Sequence, residues 1–348
     1  MKRRCWIVLS PLFLLAGLHL WGAGATAQQS APVSQPNKVE PQPCCSPVRS
    51  RSHCSSRSRP RPSGNSEIRG KAGSLEIVIT TTERLAGAIH SLKWVDKEFI
   101  DSHDHGRQLQ SAASFDCALG KKFWAECFNP TEAGSQTDGT GDKSSSKLIR
   151  LSAEGPELRT TTQMAFWLAP NEKSFGKPAL NDKVLSEHFV SKRVRIGYKK
   201  LANVIEYEVT FTIPKGERHT YAQFEALTGY MPPEFGKFWK FLPRSGKLVE
   251  LDDGPGEQEF PVVFANEVGT HAMGVFSPDQ PSRGYEKAGY GRFRFKAEKV
   301  VKWNSVFRVR SDKGIAAGEH RFHLFVAVGT QEDVRQSLAA LVTEFAVR

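Results

Sequence analysis

The sequence predicts an all-β protein, a large antiparallel β-sandwich with a C-terminal helix. Three observations carry that reading. Residues Ile205, Tyr207, Val209, Phe211 and Ile213 alternate with Glu206, Glu208, Thr210 and Thr212, which gives one apolar and one polar strand face before Pro214 ends the run. Runs of the same character recur from residue 75 to residue 328, separated by turn-rich loops such as Asp252-Asp253-Gly254-Pro255-Gly256. Helical spacing comes at the end, where Val334, Leu338, Leu341, Val342 and Phe345 form one stripe.

Taken in chain order, the first 27 residues read as an export signal. Lys2, Arg3 and Arg4 precede an apolar run from Cys5 to about Trp21, and Ala25-Thr26-Ala27 supplies the small-x-small cleavage pattern. The run is marginal for a bilayer span of roughly 20 residues, so removal is expected rather than anchoring. The mature protein is then expected to be secreted or periplasmic, with no membrane contact after cleavage. Residues 28–73 are rich in Ser, Pro, Gln and Arg and poor in large apolar side chains, so they are expected to form a disordered basic spacer. Residues 74–348 are expected to form a single β-sandwich domain.

The charge follows this division. Of the formal +11, three charges belong to residues 1–27 and six to residues 28–73, which leaves +2 for the folded part. The basic Arg49–Arg61 stretch is read as a spacer with a charge bias, and no nucleic-acid partner is expected. Cys44, Cys45 and Cys54 fall in the spacer. Cys117 and Cys127 fall in the domain, ten apart, a spacing that permits a local disulfide in an oxidising compartment.

Strands are expected at 75–81, 88–94, 161–168, 189–196, 205–213, 221–230, 260–264, 272–276, 292–295, 306–309 and 322–328. Thr330 can cap the final helix, with Asp333 three residues on.

The segment Gly87-Ala88-Ile89-His90-Ser91-Leu92-Lys93-Trp94, followed by Lys97-Glu98-Phe99-Ile100, resembles the opening of galactose-mutarotase-like (aldose 1-epimerase-like) domains. Gly106-Arg107 is similar to the Gly-Arg pair that follows in aldose epimerases. The later order is similar too: a Lys-Arg-rich strand (Lys192 to Ile196), a strand ending at Pro214, then a site-bearing strand (Tyr221 to Tyr230). At the level of fold, the resemblance implies a β-supersandwich that recognises sugar on its concave sheet. Fold alone does not set the reaction. The His expected near the site-bearing strand is absent from Glu225-Ala226-Leu227-Thr228-Gly229-Tyr230. His271-Ala272-Met273-Gly274 stands where the family's Glu base is expected.

Four segments hold dense polar groups. In Asp101–Gln108, His103 and His105 lie on one side of an extended chain. They can ligate a metal, contact hydroxyls, move protons, or simply belong to a polar loop. Arg107 offers a planar fork for a hydroxyl or carboxylate. Glu132 follows a Pro-Thr turn, as a cleft carboxylate or a turn residue, and Asp138 and Asp142 follow in a loop with weak calcium character. Glu225 is an acid among apolar neighbours, with Tyr230 close by and Trp239 as a stacking face. His271 opens an apolar strand, as a proton shuttle or a structural ring.

The expected site is therefore Glu225, His271, His105 and Tyr230 for catalysis, with Arg107, Glu132, Trp239 and His103 on the substrate. No cofactor is expected to be required, although calcium or another divalent metal remains open. Phosphate-loop, serine-elbow and HExxH motifs do not occur, so nucleotide chemistry, serine hydrolysis and zinc proteolysis lack support in the sequence. The expected partner is carbohydrate, processed by a lyase or hydrolase. The alternatives are a non-catalytic glycan-binding module and an epimerase with relocated acid and base.

Overall fold

The computed structural model describes residues 62–280 and 288–346. The expected export signal and residues 28–61 of the expected spacer lie outside them. The fold begins earlier than residue 74. Strand β1 (Ser66–Ala72) forms a hairpin with β2 (Leu75–Thr81), in register from Ser66↔Thr81 to Ala72↔Leu75. Gly73 turns the chain at φ 67°, a left-handed value that suits glycine. Ile68 is the residue of β1 that enters the core. One apolar side chain is too little to mark a strand by composition, so the domain starts before the expected boundary at residue 74.

After β2 come β3 (Ile89–Trp94), β4 (Lys97–Glu98), β5 (Leu109–Phe115), β6 (Pro130–Thr131), β7 (Lys147–Glu154) and β8 (Glu157–Phe166). A small hairpin, β9 (Lys173–Ser174) with β10 (Lys177–Pro178), precedes the long β11 (Leu185–Tyr198) and β12 (Leu201–Ile213). The chain continues through β13 (Tyr221–Met231), β14 (Lys237–Leu242), β15 (Lys247–Leu251), β16 (Gly256–Gln258) and β17 (Val262–Ala265). It ends with β18 (Ala272–Phe276), β19 (Tyr290–Phe295), β20 (Val300–Arg310), β21 (Gly318–Gly329) and helix α1 (Gln331–Ala346).

Every ladder is antiparallel, and the pairings trace two layers. One runs β7-β8-β11-β12-β21-β18-β17-β14-β15. The other runs β1-β2-β3-β5-β13-β20-β19-β16. Short β6 bonds to both β5 and β8 and joins the layers into one hydrogen-bonded network. Inward side chains from both layers share one core, including Ile79, Leu92 and Phe224 from the second and Val194, Tyr207 and Val209 from the first. This is the expected sandwich, with strand alternation supplying its inner faces.

Two charged side chains cross that interior. Lys192 points inward from β11 between Val190 and Val194, and its ammonium lies 2.6 and 2.7 Å from the two carboxylate oxygens of Glu132. Glu132 is bound to β5 on the opposite layer: it accepts from Ser111 N at 2.9 Å, and its own N donates to Ser111 O at 3.1 Å. The pair therefore links the layers.

On the far side of the first layer, Val334, Leu338 and Leu341 of α1 cover Val204, Val263 and Phe325. Thr330 caps the helix in a reciprocal box with Asp333, as expected. Gly274 is what lets α1 come so close, because a Cβ there would lie 2.7 Å from Val334 Cγ1 and 3.1 Å from Val263 Cγ2.

Gly274→Val should cost about 1–3 kcal/mol in urea unfolding through overpacking under α1. Glu132→Gln should cost about 3–5 kcal/mol, since it leaves a buried ammonium without its counter-charge, whereas the double change Glu132→Leu with Lys192→Met should recover most of the loss. A double-mutant cycle on unfolding midpoints checks the second expectation.

Candidate active site

The site forms on the outward, solvent-facing side of the second layer. Directly paired residues of antiparallel strands share a face. The register therefore defines four cross-strand rungs: Ser114–Gln223–Arg308, Ala112–Glu225–Val306, Gln110–Thr228–Asn304, and Tyr230–Lys302–Phe293. Simple alternation along β13 would put Glu225 and Thr228 on opposite faces. A β-bulge after Glu225 sends both Ala226 and Leu227 into the core, and Thr228 returns to the face of Glu225. Its hydroxyl then donates to Glu225 Oε2 at 2.8 Å.

Lys302 reaches the same oxygen at 3.1 Å. Its ammonium sits over two rings, 5.3 Å from the centre of Tyr230 and 5.5 Å from that of Phe293. Burial opposes the Glu225 charge, but Lys302, the Thr228 hydroxyl and Arg308 outweigh it and hold the carboxyl below the usual range. Burial likewise opposes the Lys302 charge, and Glu225 and Tyr230 overcome it, so the ammonium is held above its ordinary value. Tyr230 is pushed up, by burial first and by Glu225 as well, against the pull of Lys302.

A second carboxyl faces this group. Glu126 lies on a 3-10 turn, Ala125–Phe128, and accepts from the Ser174 hydroxyl, which in turn accepts from Trp124 Nε1 at 3.0 Å. Burial raises the Glu126 carboxyl and Glu225 adds to the rise, while Ser174 and Lys302 only partly oppose it. Two neighbouring acids are thus pushed in opposite directions, Glu225 toward carboxylate and Glu126 toward the protonated form.

Glu126, Glu225, Thr228, Tyr230 and Lys302 line a narrow inner cavity of about 70 Å³. A wider cavity of about 730 Å³, bounded by Asp101, His103, Gln136 and Glu298, opens beside it. Gly106, Arg107 and Trp167 line both, so the two form one cleft with a broad mouth. A Cβ at Gly106 would lie 2.7 Å from Trp167 Cη2, so glycine there is what lets the indole lie across the junction. Arg107 is fixed beside it by Asp104, with Nε to Oδ2 at 3.0 Å, and by the Glu298 carbonyl at 3.3 Å.

Of the expected residues, Glu225, Tyr230 and Arg107 meet at the inner cleft, and exposed His103 stands at its mouth. Four others do other work. His105 is 1% exposed, and its ring nitrogens face backbone carbonyls, Nδ1 at 2.8 Å from Gly139 O and Nε2 at 2.9 Å from Arg84 O. Each ring nitrogen faces a backbone carbonyl, so the ring ties the two loops together at the wall of the wider cavity. Glu132 is the inter-layer ion-pair partner. His271 packs edge-on against Trp94, ring centres 5.5 Å apart, and burial and then Lys97 lower its pKa. Trp239 packs against the core under α1. The Trp94 contact and the helix interface hold these last two rings in packing.

Asp138 accepts from Ser135 N and Ser145 N at 2.8 Å each and from Ser145 Oγ at 2.6 Å, so its carboxylate stabilises its own loop. Cys117 and Cys127 are free thiols and form no disulfide. Burial pushes Cys117 up to about 12 and Cys127 up to about 11.

No family model matches this chain, and no curated protein matches it. Among solved structures it is similar to a galactose mutarotase-like protein from Lactobacillus casei ATCC 334, with 12% identity over 76% of this chain and 100% of that one, at a TM-score of 0.40. It is also similar to the α-galactosidase from Lactobacillus brevis, with 6% identity over 77% of this chain and a TM-score of 0.41. A third similar structure is the α-galactosidase AgaB from Geobacillus stearothermophilus, with 8% identity over 77% of this chain and a TM-score of 0.38. The chain spans 40% of the length of either α-galactosidase. The resemblance to mutarotase-like proteins is one of fold.

Lys302→Met should raise the Glu225 carboxyl, because it deletes the largest influence that opposes burial. Side-chain carboxyl NMR titration of the wild type and the variant measures that shift directly.

Proposed function

We propose that the cleft binds a carbohydrate and that Glu126 and Glu225 act on it as acid and base, in the manner of a glycoside hydrolase. The observation that carries this reading is the split pair: two neighbouring carboxyls pushed in opposite directions inside one aromatic-walled cleft. Glu126, favoured in its protonated form, supplies a proton to the leaving oxygen. Glu225, held as carboxylate by Lys302 and Thr228, supports positive charge at the anomeric carbon or attacks it. Trp167 offers a face for the C–H side of a sugar ring, and Arg107, Gln110 and Asn129 offer hydrogen bonds to hydroxyls. On the strength of the Lys2–Ala27 export pattern, the activity is proposed to operate in a secreted or periplasmic setting.

The same pair would serve an epimerase with relocated acid and base, since anomer exchange also needs one donor and one acceptor of protons. A lyase that uses Tyr230 as base is disfavoured, because burial opposes loss of its proton. A purely glycan-binding module has no need of two carboxyls set against each other.

The test is a panel of aryl glycosides and oligosaccharides scored for reducing ends, with anomer exchange followed by NMR. Glu126→Gln and Glu225→Gln should each lower kcat by about 10²–10⁴-fold with binding retained. The rate should fall at acid pH as Glu225 takes up a proton, below the ordinary carboxylate range. It should fall again on the alkaline side as Glu126 loses one, above the ordinary carboxylate range. Binding without turnover anywhere on the panel would leave the glycan-binding module, and neither binding nor turnover would sink the carbohydrate reading.

A further inference from the structure

A second convergence of chemistry-bearing side chains lies outside the cleft. His188 stands on β11, and Glu217 and His219 lie in the connection between β12 and β13. His188 Nε2 is 3.1 Å, and His219 Nε2 2.8 Å, from the same oxygen, Glu217 Oε2. One ligand atom from each residue lies within 4.8 Å of the other two. Both imidazoles are 2% exposed. Their surroundings are apolar: the Phe115 ring lies 5.0 Å from His188 and 4.5 Å from His219, and Phe128 lies 6.0 and 5.7 Å from the same rings.

Hydrogen bonding within the protein accounts for this cluster only in part. Beyond the two Nε2 contacts to Glu217 Oε2, Nδ1 of His188 and Nδ1 of His219 have no hydrogen-bond partner. Polar atoms buried that deeply are normally satisfied, and leaving them bare costs free energy. Two rings from separate parts of the chain nevertheless aim at one carboxylate oxygen.

We propose that His188, Glu217 and His219 form a binding site for a divalent transition-metal ion of the Zn²⁺ type, distinct from the carbohydrate cleft. Zn²⁺ takes imidazole nitrogen at about 2.0–2.1 Å and carboxylate oxygen at about 2.0–2.2 Å, which puts neighbouring tetrahedral ligands roughly 3.3 Å apart. The observed contacts of 2.8 and 3.1 Å need only a small opening to reach that geometry. Three protein ligands leave a fourth position for water. Two nitrogens in the set select against Ca²⁺ and Mg²⁺, which prefer all-oxygen shells. Because β11 and the β12–β13 connection each supply ligands, the ion would clip them together and stabilise the fold by mass action.

The experiment uses the full chain, stripped with a chelator and then titrated with Zn²⁺ by calorimetry and with Co²⁺ by visible absorption. The expected result is one equivalent per chain, tetrahedral Co²⁺ d–d bands, a Zn²⁺-dependent rise in Tm, and no response to Ca²⁺. His219→Ala and His188→Ala should lose that equivalent, while Glu126→Gln, a cleft change, should keep it. Beyond Cys5 of the expected export signal, the chain also carries Cys44, Cys45, Cys54, Cys117 and Cys127. A Co²⁺ spectrum dominated by thiolate charge transfer would assign the ion to cysteine and overturn the proposal. So would folded wild-type protein that takes up no stoichiometric Zn²⁺ or Co²⁺, or uptake that persists unchanged in both histidine variants. Should a variant fail to fold, the wild-type titration and its Co²⁺ spectrum decide alone.

Discussion

The bulge in β13 is the constraint on which the cleft depends. A strand presents alternate residues to opposite faces, so polar groups on one face normally stand two apart. Glu225 and Thr228 stand three apart, and only the extra residue at Ala226-Leu227 puts them together. Without it, either Thr228 or Glu225 would enter the core, and the hydroxyl that helps hold the carboxylate would be lost. The neighbouring strands then finish the arrangement. β20 carries Lys302 to Glu225, and β5 carries Gln110 alongside Thr228. The electrostatics of the site follow from one irregularity in strand geometry.

The second layer thus has two characters. Its inner face is apolar and belongs to the sandwich core. Its outer face is polar and ordered, with charges neutralised in pairs: Lys302 with Glu225, and Arg308 with Glu257 at 2.7 Å. Glu126 departs from that pattern, because its partner is a hydroxyl rather than a cation. Its neighbour Glu225 already holds the nearest positive charge, and that asymmetry separates the two carboxyls.

Much of the fold can be read from residue patterns. The runs at 75–81 and 272–276 coincide with β2 and β18, and the stripe from Val334 to Phe345 is α1. Those elements are amphipathic or wholly buried, so their side chains declare their environment. β1 and β7 carry little strand pattern because few of their side chains are buried, and β5 carries little because serine and alanine fill most of it. The site was half legible. Glu225 and Tyr230 announce themselves as polar groups in an apolar strand. Lys302 lies outside the expected run 306–309, although Val301, Trp303 and Phe307 alternate with Lys302, Asn304 and Arg308 along β20. Glu126 carries no local signal at all, since its neighbourhood is assembled from β13, β20 and the Ser174 hairpin. The surroundings of His105 and His271 are illegible locally for the same reason: the carbonyls of Arg84 and Gly139 and the Trp94 ring lie far from them in sequence.

The Glu132–Lys192 pair also bears on how the fold comes apart. Hydrophobic contacts between two layers can be lost gradually, as one sheet slides or peels from the other. A desolvated ion pair cannot yield in that way, because each ion needs its partner until water reaches both. Partial separation between β11 and β5 would therefore expose a charge without hydrating it. The sandwich should resist breathing at that point, and its local opening there should approach the free energy of global unfolding. The strands behind the cleft floor would then be among the slowest parts of the molecule to exchange their amide protons, and the outer-face side chains would rest on a floor that does not breathe.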